Sequence, residues 1–198
     1  MFTEAELKHI AALCFASNVY IVSDEIHADL TRAGVAHTPL AKLFPAEKRI
    51  LTCTSPSKSF NMAGNNHAHI IIPDSSLRSA WTKNRFNSHP TALSNEAVIA
   101  AYDESEDWLE ALLSYLDDNF AMMQALLSEK LPQATFSIPE GTYLGFVDLS
   151  AFGLDERQLK ERISRAGVFV QFGEDFVENG ACHMRINVAC PRSVLKEG

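Results

Sequence analysis

The sequence lacks the features that mark a nucleic-acid-binding or membrane-spanning protein. It contains no run of lysine or arginine, and its 25 acidic residues outnumber its 17 basic ones. A surface with this balance offers no basic footprint for a nucleic-acid backbone or an anionic lipid. The longest apolar runs, such as residues 70–72, are far shorter than the roughly 20 residues that a membrane-spanning helix requires. We therefore expect no nucleic acid and no membrane among the partners.

Cysteine is also scarce, and the four residues are widely spaced: Cys14, Cys53, Cys182 and Cys190. They form no CxxC pair and no zinc-finger spacing, which favours reduced thiols over a disulfide framework or a metal centre. Residues 1–15 are amphipathic and carry Glu4 and Glu6, whereas a secretory signal has a basic start and an unbroken apolar stretch. These observations favour a cytoplasmic location.

The first half of the sequence has the pattern of an α/β sheet. Thr3 and Glu6 have the spacing of a helix-capping box, and apolar runs at residues 19–22, 50–54 and 68–72 predict strands. The first run is wholly apolar, which is typical of a strand buried on both faces of a parallel sheet. The link between the second and third runs has no helical period, so an antiparallel return is favoured and the sheet should be mixed.

Helical patterns follow, and then a second, smaller α/β pattern. The helical patterns cover three segments: residues 77–86, 93–102 and 108–130. The later pattern consists of three strand-like runs, residues 143–149, 168–171 and 183–188, and one helix, residues 155–166. We therefore predict a large-domain portion over residues 1–107 and a small C-terminal α/β domain over residues 108–198.

Polar side chains follow two of the predicted strands directly. Asp24 follows the first strand, and Ser55, Ser57 and Lys58 follow the second. Ligands of open α/β sheets bind in the crevice outside the carboxyl ends of the strands, so these residues are candidates for one site. A lysine amine and a nearby carboxylate suit pyridoxal 5'-phosphate (PLP), which needs an amine for its aldehyde and an anion for its ring nitrogen. The residues alone also fit a turn aspartate and a solvated lysine.

Three ordered stretches resemble blocks of a known family: VSDEIHADL (residues 22–30), SPSKSFNMAG (55–64) and MRINVACPR (184–192). They are similar, in order and spacing, to the class I/II aminotransferase-like PLP enzymes of fold type I. Within that family they look most similar to the cystathionine beta-lyase, or carbon-sulfur beta-lyase, branch. The resemblance implies an α/β fold with a partial large domain, a mixed and mostly parallel sheet, and a small C-terminal domain.

The resemblance also implies roles for individual residues. Lys58 would bind the cofactor aldehyde as an imine and act as the catalytic base, and Asp24 would pair with the pyridine nitrogen. Ser55 and Ser57 would lie beside the cofactor phosphate. Arg185 would bind the carboxylate of an amino-acid substrate, a role that suits the two parallel donors of a guanidinium.

Two positions depart from the aminotransferase pattern and favour a lyase. His27 stands where aminotransferases of this family usually have a tyrosine near the phenolic oxygen of the cofactor, as it does in the beta-lyase branch. Asn66 stands where many of them carry a phosphate-binding arginine. A purely structural histidine is the alternative for His27. His67 and His69 alternate on one face of a predicted strand, but no carboxylate or cysteine stands at ligand spacing, so we predict no metal.

The sequence has no counterpart of several cofactor contacts that precede these blocks in the family. The resemblance therefore implies the C-terminal portion of an enzyme that is a homodimer when full length, and we expect the fragment to be inactive by itself. Three functions stay open: a carbon-sulfur beta-lyase that releases pyruvate, ammonia and a thiol, a class I/II aminotransferase, and a truncated, non-catalytic remnant.

Overall fold

The structure is a computed structural model that describes residues 1–84 and 89–198. The chain divides into two compact units, Met1–Glu110 and Ala111–Gly198. Their assignment to a large cofactor-binding domain and a small domain stays a prediction. No described helix combines the length and the apolar character that crossing a membrane requires.

The first unit is built on a three-stranded sheet with the order β1-β2-β3. Its strands are β1 (Ile21–Asp24), β2 (Ile50–Thr54) and β3 (His69–Ile71). β1 and β2 pair in parallel, with Asp24 beside Cys53, whereas β2 and β3 pair antiparallel. The predicted mixed sheet and its antiparallel return are thus confirmed, although parallel pairing does not predominate in this sheet.

The described residues of the first unit include five α-helices: α1 (Glu4–Ala16), α2 (Leu40–Leu43), α3 (Pro56–Ser59), α4 (Ser75–Asn84) and α5 (Ala92–Glu104). α1 begins with the predicted capping box, in which Thr3 and Glu6 satisfy each other's backbone N–H groups. Ala11 of this helix packs with Leu40 and Ile50 in a small core, against which Phe15 and Phe44 also pack. This core fixes α1 against β2.

Two details of the first unit differ from the prediction. β1 begins at Ile21 and alternates between half-buried and exposed residues, so its predicted burial on both faces is wrong. Val22 is 64% exposed because no described part of the first unit packs over that face of β1. The link between β2 and β3 also contains α3 and a short 3-10 helix, Ala63–Asn65, which are too short to show a helical period. The predicted end of the helix at residue 86 lies outside the described residues.

The second unit is a four-stranded antiparallel sheet with helices. The long helix α6 (Glu106–Lys130) leads into it and ends where the sequence predicts. The other α-helices and the strands of this unit are β4 (Thr135–Phe136), β5 (Leu144–Asp148), α7 (Glu156–Arg165), β6 (Gln171–Phe172), β7 (His183–Asn187) and α8 (Arg192–Glu197). The strand order is β4-β5-β7-β6. Its buried apolar side chains include Phe120, Val147, Leu159 and Val188.

Candidate active site

Asp24 and the Lys58 turn lie at the same edge of the first sheet. Asp24 is the last residue of β1, and its partner Cys53 is the penultimate residue of β2. The chain leaves β2 at Thr54 and enters α3, which carries Lys58. Because β1 and β2 are parallel, their carboxyl ends meet at one edge, where open α/β sheets bind ligands.

The Asp24 carboxylate sits at the surface of this edge. It accepts a hydrogen bond from the backbone N–H of Ile26 at 3.2 Å. The Cys53 thiol has a raised pKa, first because it is partly buried and second because the Asp24 charge lies nearby. No described lysine or arginine forms an ion pair with Asp24. The carboxylate is therefore available to a cationic group of a ligand.

Ser55 holds the short helix that carries Lys58. Its Oγ accepts a hydrogen bond from the N–H of Ser57 at 3.1 Å, which caps α3. The same hydroxyl donates to the backbone carbonyl of His67 at 2.6 Å, and Ser55 is only 2% exposed. A hydroxyl has one hydrogen to donate, so in this arrangement Ser55 has none for a phosphate oxygen. Ser55 thus positions the turn.

Lys58 itself is half-buried, and its amine makes no ion pair with any described carboxylate. A lysine in such a position is more often solvated or paired. The hydroxyl of the neighbouring Ser57 also has no hydrogen-bond partner within residues 1–84 and 89–198. The turn therefore presents one amine and one hydroxyl that internal contacts do not occupy.

His27 and Asn66 flank this region in the sequence. His27 is half-buried in the turn that follows Asp24, and its carbonyl accepts a hydrogen bond from Leu30 at 3.0 Å. Asn66 adopts a left-handed conformation with φ of 49° at the end of the 3-10 helix, a conformation that asparagine tolerates better than most residues. Its side-chain amide turns back to the carbonyl of Gly64 at 3.4 Å, so it serves a local turn.

Arg185 lies on β7 of the second unit with its guanidinium already oriented. Its Nε donates to Oε1 of Gln171 at 3.1 Å, and its Nη2 donates to the same oxygen. Its guanidinium carbon lies 4.0 Å from the ring centre of Phe176, a cation–π contact. The Nε–Nη2 edge is therefore used internally, and the Nη1 side remains for a carboxylate.

Sequence reasoning missed a hydrogen bond that links the two polar segments. The Ser59 hydroxyl, which is fully buried, donates to the Asp29 carboxylate at 2.7 Å. Ser59 directly follows Lys58, and Asp29 lies in the turn after Asp24, so this bond ties the lysine turn to the aspartate turn. Both residues lie inside the stretches that carry the family resemblance, and this position was the only sign in the sequence that they matter to the site.

A buried carboxylate was missed as well. Glu25, which is 8% exposed, accepts hydrogen bonds from the Ser23 hydroxyl at 2.9 Å and from the N–H of Leu40 at 3.2 Å. His37 Nε2 lies 3.0 Å from its other carboxylate oxygen. These contacts anchor the segment after β1, so Asp24 stands on a fixed backbone.

Across the described residues, no group of three or more metal-binding side chains comes together.

Comparison with known proteins identifies the family of the chain. The model of the aminotransferase class I and II family matches residues 1–198. The chain is 35% identical to cystathionine beta-lyase PatB of Bacillus subtilis and 36% identical to protein MalY of Escherichia coli. Each alignment covers 100% of this chain and 52% of the relative, so the chain spans about half the length of these relatives.

Solved structures give the same result for the fold. The PLP-bound C-S lyase from Staphylococcus hominis superposes with a TM-score of 0.92 at 42% identity, over 99% of this chain and 52% of that one. Cystalysin from Treponema denticola, a structure that contains PLP, gives a TM-score of 0.95 at 31% identity, over 100% of this chain and 51% of that one. The predicted fold, that of type I PLP enzymes, is confirmed, and the chain belongs to the PLP-dependent aminotransferase class I and II family.

Proposed function

We propose that this chain is the lysine-bearing part of a PLP-dependent carbon-sulfur beta-lyase that acts on cystathionine or cysteine-type amino acids. The observation that carries the proposal is the parallel pairing of β1 and β2, which brings Asp24 and the Lys58 turn to one edge of the sheet. The relatives named as cystathionine beta-lyases and as a C-S lyase support the reaction type. The homodimer and the cytoplasmic location belong to the same proposal.

The donor set at this edge fits PLP. Lys58 has an amine without an ionic partner in the described chain, which suits the cofactor aldehyde. Asp24 has a carboxylate without a described cationic partner, which suits a protonated ring nitrogen. Ser57 is better placed than Ser55 to donate to the phosphate because the Ser55 hydrogen is already donated to His67. When bound, PLP withdraws electrons from the Cα of the substrate.

Arg185 and Lys58 have separate roles in the proposed elimination. Arg185 binds the substrate carboxylate and fixes the amino acid, using the guanidinium side that Gln171 leaves free. The Nζ of Lys58 removes the proton from Cα, and the Cβ–S bond breaks as the electron pair leaves with the thiolate. The aminoacrylate that remains after the thiolate leaves is hydrolysed to pyruvate and ammonia. His27 lies in the turn that directly follows Asp24, and we propose that its side chain contacts the cofactor.

The test is a product analysis of the full-length protein with PLP and cystathionine. We expect pyruvate and a free thiol to appear in equal amounts without an added keto acid. Amino transfer that depends on an added keto acid and releases no thiol would refute the lyase and favour an aminotransferase. If a protein that carries PLP shows neither thiol release nor amino transfer, the result would favour a non-catalytic remnant.

A labelling experiment tests the lysine separately. Borohydride reduction of the PLP-treated protein, followed by peptide mapping, should place a pyridoxyl group on Lys58. Lys58→Ala should abolish this label and reduce turnover by more than about a hundredfold, since the base is lost. Lys42→Ala, at an exposed position on α2, is the matched control and should leave both unchanged. A pyridoxyl group on another lysine would refute the assignment.

A further inference from the structure

Two histidines at the start of β3 bring their ring nitrogens together. His67 Nε2 lies 3.2 Å from His69 Nε2, and the ring centres are 4.8 Å apart with an interplanar angle of 64°. The two residues are two positions apart along an extended segment, so their side chains project to the same face. Neither side chain has a role in the proposed lyase site, to which His67 contributes only its backbone carbonyl.

Although the sequence alone predicts no metal at His67 and His69, the contact between their rings changes this expectation, and we propose that they form a chelating site for a divalent transition metal of the zinc type. Imidazole nitrogens bind Zn²⁺ at about 2.0–2.1 Å, so two of them on one tetrahedral ion lie roughly 3.3 Å apart. The observed separation of 3.2 Å is close to this value. The two nitrogens are therefore already at the separation that a shared tetrahedral ion requires.

The backbone under this pair is fixed from both sides. The carbonyl of His67 accepts the hydroxyl hydrogen of Ser55, and His69 pairs with Thr54 of β2. Nδ1 of His67 is buried and has no hydrogen-bond partner among the described residues, so Nε2 is the nitrogen of this ring that a ligand can reach. Such pre-organisation reduces the entropy that the two side chains lose on binding.

The remaining ligands come from solvent. Cys53 is in β2, but it pairs with Ile70 rather than with His69, so its thiol projects to the opposite face of the sheet. The described residues supply no third metal-binding side chain to the pair. A dication held by two imidazoles keeps open positions for water or an added ligand. The formal net charge of −8 favours the approach of a cation.

The test is a titration of the chain with Zn²⁺ by isothermal calorimetry in the presence of a thiol-blocking reagent. We expect one equivalent to bind, with no corresponding heat from Mg²⁺, which prefers oxygen ligands. His69→Gln, at an exposed position, should weaken the Zn²⁺ affinity by roughly tenfold or more because one of two ligands is lost. His9→Gln, at an exposed position on α1, is the matched control and should bind like the unmodified chain.

A second readout keeps the proposal falsifiable even if His69→Gln fails to fold. In long-range ¹H–¹⁵N spectra of the unmodified chain, Zn²⁺ should shift the Nε2 resonances of His67 and His69 together. Equal Zn²⁺ affinity in the unmodified chain and in His69→Gln would overturn the site. So would bound Zn²⁺ that leaves both resonances in place, since the short contact would then be a hydrogen bond between the rings.

Discussion

At the scale of single residues, Cys53 reports on the charge of Asp24. The pKa of the Cys53 thiol is raised above the ordinary value of a cysteine, mainly by burial and secondarily by the Asp24 carboxylate. The thiolate, which is the form that iodoacetamide alkylates, therefore appears only at higher pH. We expect the alkylation rate of Cys53, followed by peptide mass mapping, to reach its midpoint at a higher pH than that of the same cysteine in the urea-unfolded chain.

The Asp24→Asn variant separates the two causes. Removal of the negative charge should move the alkylation midpoint of Cys53 to lower pH, while burial should keep it above the ordinary value. Asp103→Asn removes an exposed carboxylate elsewhere and should leave the midpoint in place. If Asp24→Asn and the unmodified chain gave the same profile, the carboxylate would not face this edge of the sheet.

The bond between Ser59 and Asp29 gives a second prediction. Ser59→Ala removes a buried hydroxyl that donates to the exposed Asp29 carboxylate, so we expect a loss of about 1 kcal/mol in the free energy of unfolding, the net contribution of a typical hydrogen bond. Because Ser59 adjoins Lys58, the same variant should also slow pyridoxyl labelling of Lys58. Urea denaturation and timed borohydride trapping measure the two effects.

Ser76→Ala is the matched control for Ser59→Ala. Ser76 also donates its hydroxyl hydrogen to an aspartate, Asp74, but this pair is exposed. Water can replace an exposed donor, so the control should change the free energy of unfolding by no more than a few tenths of a kcal/mol. Equal effects of the two variants would mean that the Ser59 contact does not join the two turns.

At the scale of elements, Asn119 connects α6 to the segment that follows β7. Asn119 is fully buried, and its amide donates to the carbonyls of Val188 at 2.9 Å and Cys190 at 3.2 Å. Its Oδ1 accepts from Nε of Arg192 at 3.2 Å. Asn119→Ala leaves these groups unsatisfied, and we expect the second unit to lose about 2–3 kcal/mol of stability.

The measurement is the urea midpoint of the second unit, followed by the fluorescence of a tryptophan engineered into it, in a chain whose Trp81 and Trp108 are replaced by phenylalanine. Gln124→Ala, on an exposed position of the same helix, is the control and should change the midpoint little. If both variants behaved alike, the bonds from Asn119 would not hold the segment after β7 to α6.

The elements also show which parts of the structure the sequence could reveal. The end of β2 and the antiparallel return to β3 were predictable because an apolar run stops at a Ser-Pro turn and no helical period follows. The capping box of α1 was predictable because its partners, Thr3 and Glu6, are local. The bond from Ser59 to Asp29 was not, because it joins residues 30 positions apart whose contact depends on the fold.

The candidate site divides in the same way. The family resemblance identified Lys58, Asp24 and Arg185 as candidates, and the sheet then explains why the first two share an edge. The hydrogen bond from the Ser55 hydroxyl to the His67 carbonyl could not be predicted, because an N-cap serine and a phosphate-binding serine look alike in sequence. The burial of β1 was mispredicted for a related reason: an apolar run indicates that a strand can be covered, whereas coverage depends on its neighbours.

At the scale of the whole molecule, the exposed edge of the first sheet makes self-association of this chain the expected behaviour. β1 pairs only with β2 among the described strands, and apolar side chains on and before it are exposed, with Tyr20 at 52% and Val22 at 64%. An edge strand with exposed apolar residues is a template for pairing with another chain. The average mass of the 198-residue chain in sedimentation should therefore rise with concentration.

A charge on the edge should oppose this association. Val22→Lys places an ammonium on β1, and we expect it to lower the concentration-dependent rise in mass, because a strand that pairs with β1 would have to cover the charge. Val194→Lys, at a position of α8 that is 54% exposed, adds the same charge away from the sheet and should leave the association unchanged. A chain that stays monomeric at every concentration, or an equal effect of the two lysines, would show that the edge of β1 is not the surface through which copies of the chain meet.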